Sequence, residues 1–293
     1  MDYENFKWSL LEEVKGMTEQ GTQVRLHRIP CANGLQTDAI SVNGGGKAYA
    51  PAVAVKPYYE RYSRGRESLH AIAGRIVENQ QASIREDLGT YGSLPAFEDI
   101  AERVYVRLMS IPLNRELLKK VPYIEILDLA AVFYMRLDLS RIYDAMILVN
   151  NEDLCRWHLS VEELKAAAIR NTIRQKKPAL IPMWKILGET FEEESNREMP
   201  PMYVLTNSER WHGAAVMLYP NLLKTVSEML NGSFFVLPSS VHEVIVLPDD
   251  MGYSPDMLRD LVETVNTNEV SPAEVLSNSV YRFEAGGSAL SYA

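Results

Sequence analysis

Apolar residues recur at helical spacing from the first turns of the chain. Phe6, Leu10, Val14 and Met17 form a stripe, with Glu12, Glu13 and Lys15 between them, as in an amphipathic helix laid on a core. Gly16 and Gly21 mark where it frays and stops. Over residues 22–29 the period changes to two, Val24 and Leu26 alternating with Arg25 and His27, which predicts a half-buried strand. Asn33-Gly34 tolerates positive φ at both positions and predicts a hairpin. Residues 35–42 return as its second strand, Asn43-Gly-Gly-Gly46 turns the chain again, and a third strand over 49–55 stops at Pro57. Leu69, Ile72, Ala73, Ile76 and Val77 then share one face of a helix over 66–80, with His70 and Glu78 on the other.

The middle of the chain predicts a strand over 104–109 and a short helix that Asn114 opens and that runs to Lys120. Residues 124–137 are rich in Leu, Ala, Val and aromatics, and residues 143–149 pair with them. Ser160-Val-Glu-Glu163 is a capping box, hydroxyl and carboxylate each meeting an orphan backbone donor; the helix it opens runs to residue 173. Residues 188–201 are the clearest break, with five glutamates and a closing Pro200-Pro201. Like charges repel and little there can be buried, so the segment reads as an acidic linker.

Beyond it, strands over 202–206 and 214–218 precede a helix over 221–230, which carries Leu222, Leu223, Val226, Met229 and Leu230 and stops at Gly232. Strands over 234–237 and 241–247 flank the turn Pro238-Ser239-Ser240. Ser254-Pro255 then opens a helix bearing Met257, Leu258, Leu261, Val262 and Val265. Residues 124–173 repeat the same order. A hairpin with one apolar face needs a helix to cover it. The expected fold is therefore α+β: antiparallel sheets built from repeated strand–strand–helix units, with helices mainly on one face. The expected division is an N-terminal α+β region over 1–187, the acidic linker over 188–201, a C-terminal ββαββα domain over 202–284 and a disordered tail over 285–293.

Composition narrows the function classes. The 293 residues are 46% hydrophobic and 24% charged, ordinary for a globular protein, with a net charge of -9. A general nucleic-acid binder needs a basic surface to displace counterions, so that class is disfavoured, whereas acidity leaves room for a basic protein partner. The two cysteines, Cys31 and Cys155, make no disulfide framework and fit a reducing compartment. The early acids of the N-terminus suit no signal peptide, and no apolar run reaches the length of a membrane span. A cytoplasmic protein without membrane contact is expected.

Few residue patterns invite chemistry. Asn43-Gly-Gly-Gly-Lys47 fails as a phosphate loop, because no Ser or Thr follows the lysine and a strand comes next. His27 with Cys31, and Cys155 with His158, lack zinc-knuckle spacing; no metal and no cofactor is expected. Ser240, His242 and Glu243 are the candidate catalytic set, since period-two alternation puts Ser240 and His242 on one face for acyl transfer. Against that, Val244 and Val246 share the face of His242 and no strained Gly-x-Ser-x-Gly elbow is present. A core role for these residues is the more economical reading. Pro57-Tyr-Tyr-Glu-Arg-Tyr62, with Lys56, Arg64 and Arg66, interleaves aromatics and bases as single-strand binders do; Tyr58 and Tyr59 equally suit a strand-to-helix corner. Arg170, Arg174, Lys176 and Lys177 fit the favourable end of a helix dipole. The loop Thr206-Asn-Ser-Glu-Arg-Trp-His-Gly213 places Trp211 at its tip, so Asn207 and Trp211 are candidate binding residues.

Several longer stretches are similar to a known family. They are Ala50-Pro-Ala-Val-Ala-Val-Lys-Pro-Tyr-Tyr59, Asn114-Arg-Glu-Leu-Leu118, Leu127-Asp-Leu-Ala130 and Val270-Ser-Pro-Ala-Glu-Val-Leu-Ser277, together with the 202–248 region. Through them the chain resembles a Firmicutes family of unknown function, DUF5688. The resemblance implies a cytoplasmic bacterial protein, carried on a mobile element, and brings no reaction, cofactor or catalytic residue. Residues and resemblance together lead to the expectation of a non-catalytic protein-binding or regulatory factor whose partner is another protein. The alternatives are a hydrolase using Ser240 and His242, and a nucleic-acid-associated factor using Lys56, Arg61, Arg64 and the neighbouring tyrosines.

Overall fold

In a computed structural model of the chain, which describes residues 1–43, 52–85, 94–136, 146–187 and 201–293, the first apolar stripe folds as α1 (Tyr3–Met17). The Asp2 carboxylate caps it by accepting the Asn5 N–H at 2.8 Å, which satisfies one of the donors a helix start leaves open. β1 (Gln23–Pro30) and β2 (Gln36–Asn43) form the expected hairpin, with Asn33 at φ 61° and Gly34 at φ 68°. β3 (Ala52–Ala54) pairs with β2, giving the order β1-β2-β3. The glycines of the turn before β3 lie outside the described residues. α2 (Lys56–Ser63), with Pro57 in its first turn, α3 (Leu69–Arg85) and the single turn α4 (Phe97–Ile100) follow. Phe6, Leu10, Val14, Ile40, Ile72 and Ile76 pack into one core.

Packing divides the chain into two compact units: Met1–Ile100 with Arg136–Ile147, and Ala101–Met135 with Leu148–Ala293. In the second, β4 (Val104–Ser110), α5 (Arg115–Leu118), β5 (Tyr123–Ile126) and β6 (Leu129–Arg136) come first. β4 and β5 both pair antiparallel with β6, and the two-residue loop Leu127–Asp128 closes the β5–β6 hairpin with Leu127 at φ 57°. The short β7 (Met146–Leu148) comes next along the chain. Asn114 stands at the start of α5, but its side chain donates to the Ser110 carbonyl at 2.7 Å and does not cap the helix.

α6 (Asn151–Trp157) and α7 (Val161–Gln175) both open on capping boxes, at Asn150 and at Ser160. α7 also closes the edge of β4. Thr172 Oγ1 accepts the Val106 N–H at 3.2 Å, and Asn171 Nδ2 donates to the carbonyls of Ala101 and Val104 at 2.7 and 2.9 Å. Those polar side chains are buried because they complete a strand edge that would otherwise be left unpaired.

The rest builds one antiparallel sheet from β8 (Pro178–Pro182), β9 (Tyr203–Asn207), β10 (Phe234–Leu237), β11 (Val244–Pro248), β12 (Tyr281–Phe283) and β13 (Leu290–Tyr292), in the order β13-β12-β10-β11-β9-β8. The short α8 (Met183–Leu187) follows β8. α9 (Leu222–Leu230) precedes β10, and α10 (Pro255–Asn268) joins β11 to β12. Leu258 and Val262 of α10 pack on Phe235, Leu237 and Leu247.

At several places the structure adds what the sequence pattern does not show. β8 pairs with β9 from Pro178↔Asn207 to Pro182↔Tyr203, so the chain across 188–201 joins neighbouring strands of one sheet. Of that acidic stretch, residues 188–200 lie outside the described residues. Residues 214–218, expected as a strand, belong to a 3-10 helix over Gly213–Leu218; they are apolar and buried nearly all round, a pattern in which period carries no information. Among the described residues the first strand–strand–helix unit therefore lacks its second strand, and the repeat is not confirmed. Lastly, the tail over 285–293 carries β13, whose Leu290 to Tyr292 pair with Phe283 to Tyr281.

Candidate functional site

The loop after β9 is wound around one side chain. Asn207 Oδ1 accepts the N–H groups of Glu209 and Trp211 at 3.0 and 3.4 Å, and its Nδ2 donates to the Trp211 carbonyl at 2.9 Å. Asn207 is thus buried scaffold, with its amide saturated. The loop leaves Arg210 and His212 in the left-handed region at φ 52° and 49°. It ends at Gly213, where an added Cβ would stand 2.0 Å from Thr206 Oγ1 and 2.3 Å from the His242 carbonyl oxygen. Only glycine permits that approach.

Trp211 does not project from the loop. Its ring covers the Lys176 ammonium, 4.3 Å from the centroid, and meets Tyr134 edge-on at 5.8 Å. Lys176 is 1% exposed, although the sequence places it at the solvated end of a helix. Its Nζ lies 3.3 Å from the Glu209 carboxylate and donates to the Tyr134 hydroxyl and Trp211 carbonyl at 3.4 and 3.5 Å. An ammonium is tolerated in such a place because a counter-ion, hydrogen bonds and an aromatic face together replace its water. Arg107, buried in β4, has its pKa lowered to about 10 by burial, with Tyr134 opposing the fall. His212 is 6% exposed. Burial, and then its basic neighbours Arg107, His242 and Lys176, hold its pKa far below 6.5; the imidazole is neutral, and neither ring nitrogen has a hydrogen-bond partner.

Residues 239–243 do not continue β11, so strand alternation does not apply to them. Ser240 forms an isolated bridge with Val275, and its Oγ accepts the backbone N–H of His242 at 3.0 Å. His242 Nδ1 accepts the backbone N–H of His212 at 3.3 Å, which leaves the proton on Nε2, 3.5 Å from Glu274 Oε1. The imidazole nitrogen that acts as a base is therefore already occupied by a backbone donor. Ser240 Oγ and His242 Nδ1 are thus each engaged by a backbone N–H and not by one another. Glu243 is half-buried, and the carboxylate facing the imidazole belongs to Glu274.

Tyr58 is buried in the core of the first unit, and Tyr59 packs on Tyr3 and Phe6 at 5.2 and 5.3 Å while its hydroxyl donates to the Met1 carbonyl. Tyr62 likewise packs on Phe6 at 5.0 Å. These rings are set against one another, and none of the three is exposed as a stacking platform for bases. Among the described residues no three of His, Cys, Asp and Glu gather to hold a metal ion, and no helix is long and apolar enough to cross a membrane.

The surface of α10 is different. Leu258, Val262 and Asn266 face the protein, while Met257 and Leu261, one turn apart, are 58% and 48% exposed. At 100° per residue, Asp260 lies beside this apolar stripe, about 60° from Met257, while Asp256 and Glu263 stand further round the helix; all three are exposed. Arg259 is the basic residue of the helix, bonded to Asp256 at 2.6 Å.

A family model described as a family of unknown function, DUF5688, matches residues 3–285. The chain belongs to DUF5688. No curated protein and no solved structure matches it. In this DUF5688 protein two of the stretches singled out in the sequence meet within the second unit. The Asp128 carboxylate, in the β5–β6 turn, accepts the hydroxyls of Ser277 at 2.6 Å, Ser279 at 3.0 Å and Tyr281. Burial and then Asp128 push the Tyr281 pKa up, so the phenol stays a donor. Two serines and a tyrosine-bearing strand give no sign of such convergence; the acid and its hydroxyls lie some 150 positions apart, with separations of 149 to 153 residues.

Proposed function

We propose that this DUF5688 protein is a non-catalytic regulatory factor that binds another protein, and that α10 is its docking surface. The reading rests on one observation: Met257 and Leu261 stand in water, 58% and 48% exposed, on a helix whose other face is already docked. Contiguous exposed apolar groups bordered by charge are a feature of contact surfaces more than of free ones. Asp260 borders the pair, and Asp256 and Glu263 lie further round the same helix against its basic residue Arg259, so the fitting partner is a basic amphipathic segment. The net charge of -9 adds attraction at long range for such a partner. The setting in the cytoplasm of a Firmicutes bacterium, on a mobile element, comes from the family resemblance alone.

A photo-crosslinking residue placed at Met257, with Lys15 as control position, tests this in cells. The expected result is a discrete adduct at Met257 whose crosslinked peptide is rich in Lys or Arg. Equal background at the two positions contradicts the reading.

A further inference from the structure

The second unit also contains an apolar hollow of about 250 Å³. Ile124 and Ile126 of the edge strand β5 form one wall, Ile169 of α7 and Met217 a second, and Leu290 of β13 a third. β5 alternates so that Tyr123 and Glu125 are exposed while the two isoleucines turn to the hollow and are half-buried. Lys165, one turn before Ile169 on α7, is the charged residue among those lining the space. Its side chain is 38% exposed and its Nζ rests 3.3 Å from Glu162, itself 73% exposed. A bridge so open to water is weak and is exchanged for another carboxylate at little cost.

We propose that this hollow binds a small aliphatic monocarboxylate, its chain against the isoleucines and its carboxylate on Lys165. The size sets the occupant. At about 30 Å³ per water, 250 Å³ has room for about eight water-sized groups. A straight chain of that many carbons fills it; a nucleotide or a two-chain lipid does not fit. Apolar walls with one charged group to fix orientation are the usual makeup of a small-ligand site. This inference is independent of the docking surface on α10, and either stands if the other fails.

Calorimetric titration of the full chain with butanoate, hexanoate, octanoate and decanoate tests it, with octylamine and octanol as controls. Affinity is expected to rise about fourfold per methylene and to level off past octanoate, while octylamine does not bind. Lys165→Gln is expected to weaken octanoate about tenfold, and Ala289→Trp, a change at an exposed position of the lining, to abolish its binding. Absence of saturable octanoate binding overturns the proposal. So does binding that both substitutions leave unchanged, or octylamine binding as tightly as octanoate.

Discussion

Gly213 shows how one small residue sets the geometry around it. Its missing Cβ lets the chain pass against Thr206 and the His242 carbonyl, and that approach carries the His212 N–H onto the His242 ring. Gly213→Ala is expected to cost about 3 kcal/mol, read from the shift in urea midpoint. Thr206→Ser is not expected to rescue it, because the carbonyl remains in the way. Asp128→Ala leaves three hydroxyls without their acceptor and is expected to cost a similar amount, about 3 kcal/mol. His212 gives a pH-dependent prediction with a definite sign. Folded, it stays neutral because its pKa lies far below 6.5; unfolded, it takes up a proton below its ordinary value. The unfolded state then binds more protons, so stability falls as pH drops through that value, by about 1.4 kcal/mol per pH unit. His212→Phe is expected to remove this contribution, so that denaturant midpoints at about pH 5 and pH 7 differ less in the variant than in the parent. At this scale the sequence was a poor guide. It offered His242 and Ser240 by residue type, but the buried Lys176 and the Asp128 hydroxyl cluster depend on partners far along the chain. Asn207 and Trp211 share one loop, yet each turns inward because the loop closes on the amide and the indole covers an ammonium.

Elements with local signals were legible. The Ser160 box, the Asn33-Gly34 turn and the stripe of α1 are written in neighbouring residues, and each forms where its signal stands. Ser160→Ala is expected to lower stability by about 1 kcal/mol, without changing the fold by circular dichroism. The run from Gly213 to Leu218 was not legible, since a segment buried on every side has no period to read. α10 lies between these cases. Its five apolar positions span more of the helix than one core face can cover, and the structure divides them into docked Leu258 and Val262 and exposed Met257 and Leu261. Met257→Glu with Leu261→Glu is therefore expected to leave thermal stability within about 0.5 kcal/mol of the parent.

At the scale of the molecule, the α+β class and the antiparallel pairing followed from the alternation of short strands with capped helices. Acidic composition at 188–201 resembles a linker, whereas β8 and β9 pair across it, and strand pairing between distant segments leaves no mark in composition. The same scale holds the central claim, that an acidic, non-catalytic protein binds a basic partner through α10. The most direct test is quantitative mass spectrometry of proteins captured from bacterial lysate by the parent chain and by the Met257→Glu, Leu261→Glu variant, each at low and high salt. A basic protein held by the parent at low salt, and lost both to high salt and to the double substitution, is the predicted result. Identical captured sets for the two chains would contradict it.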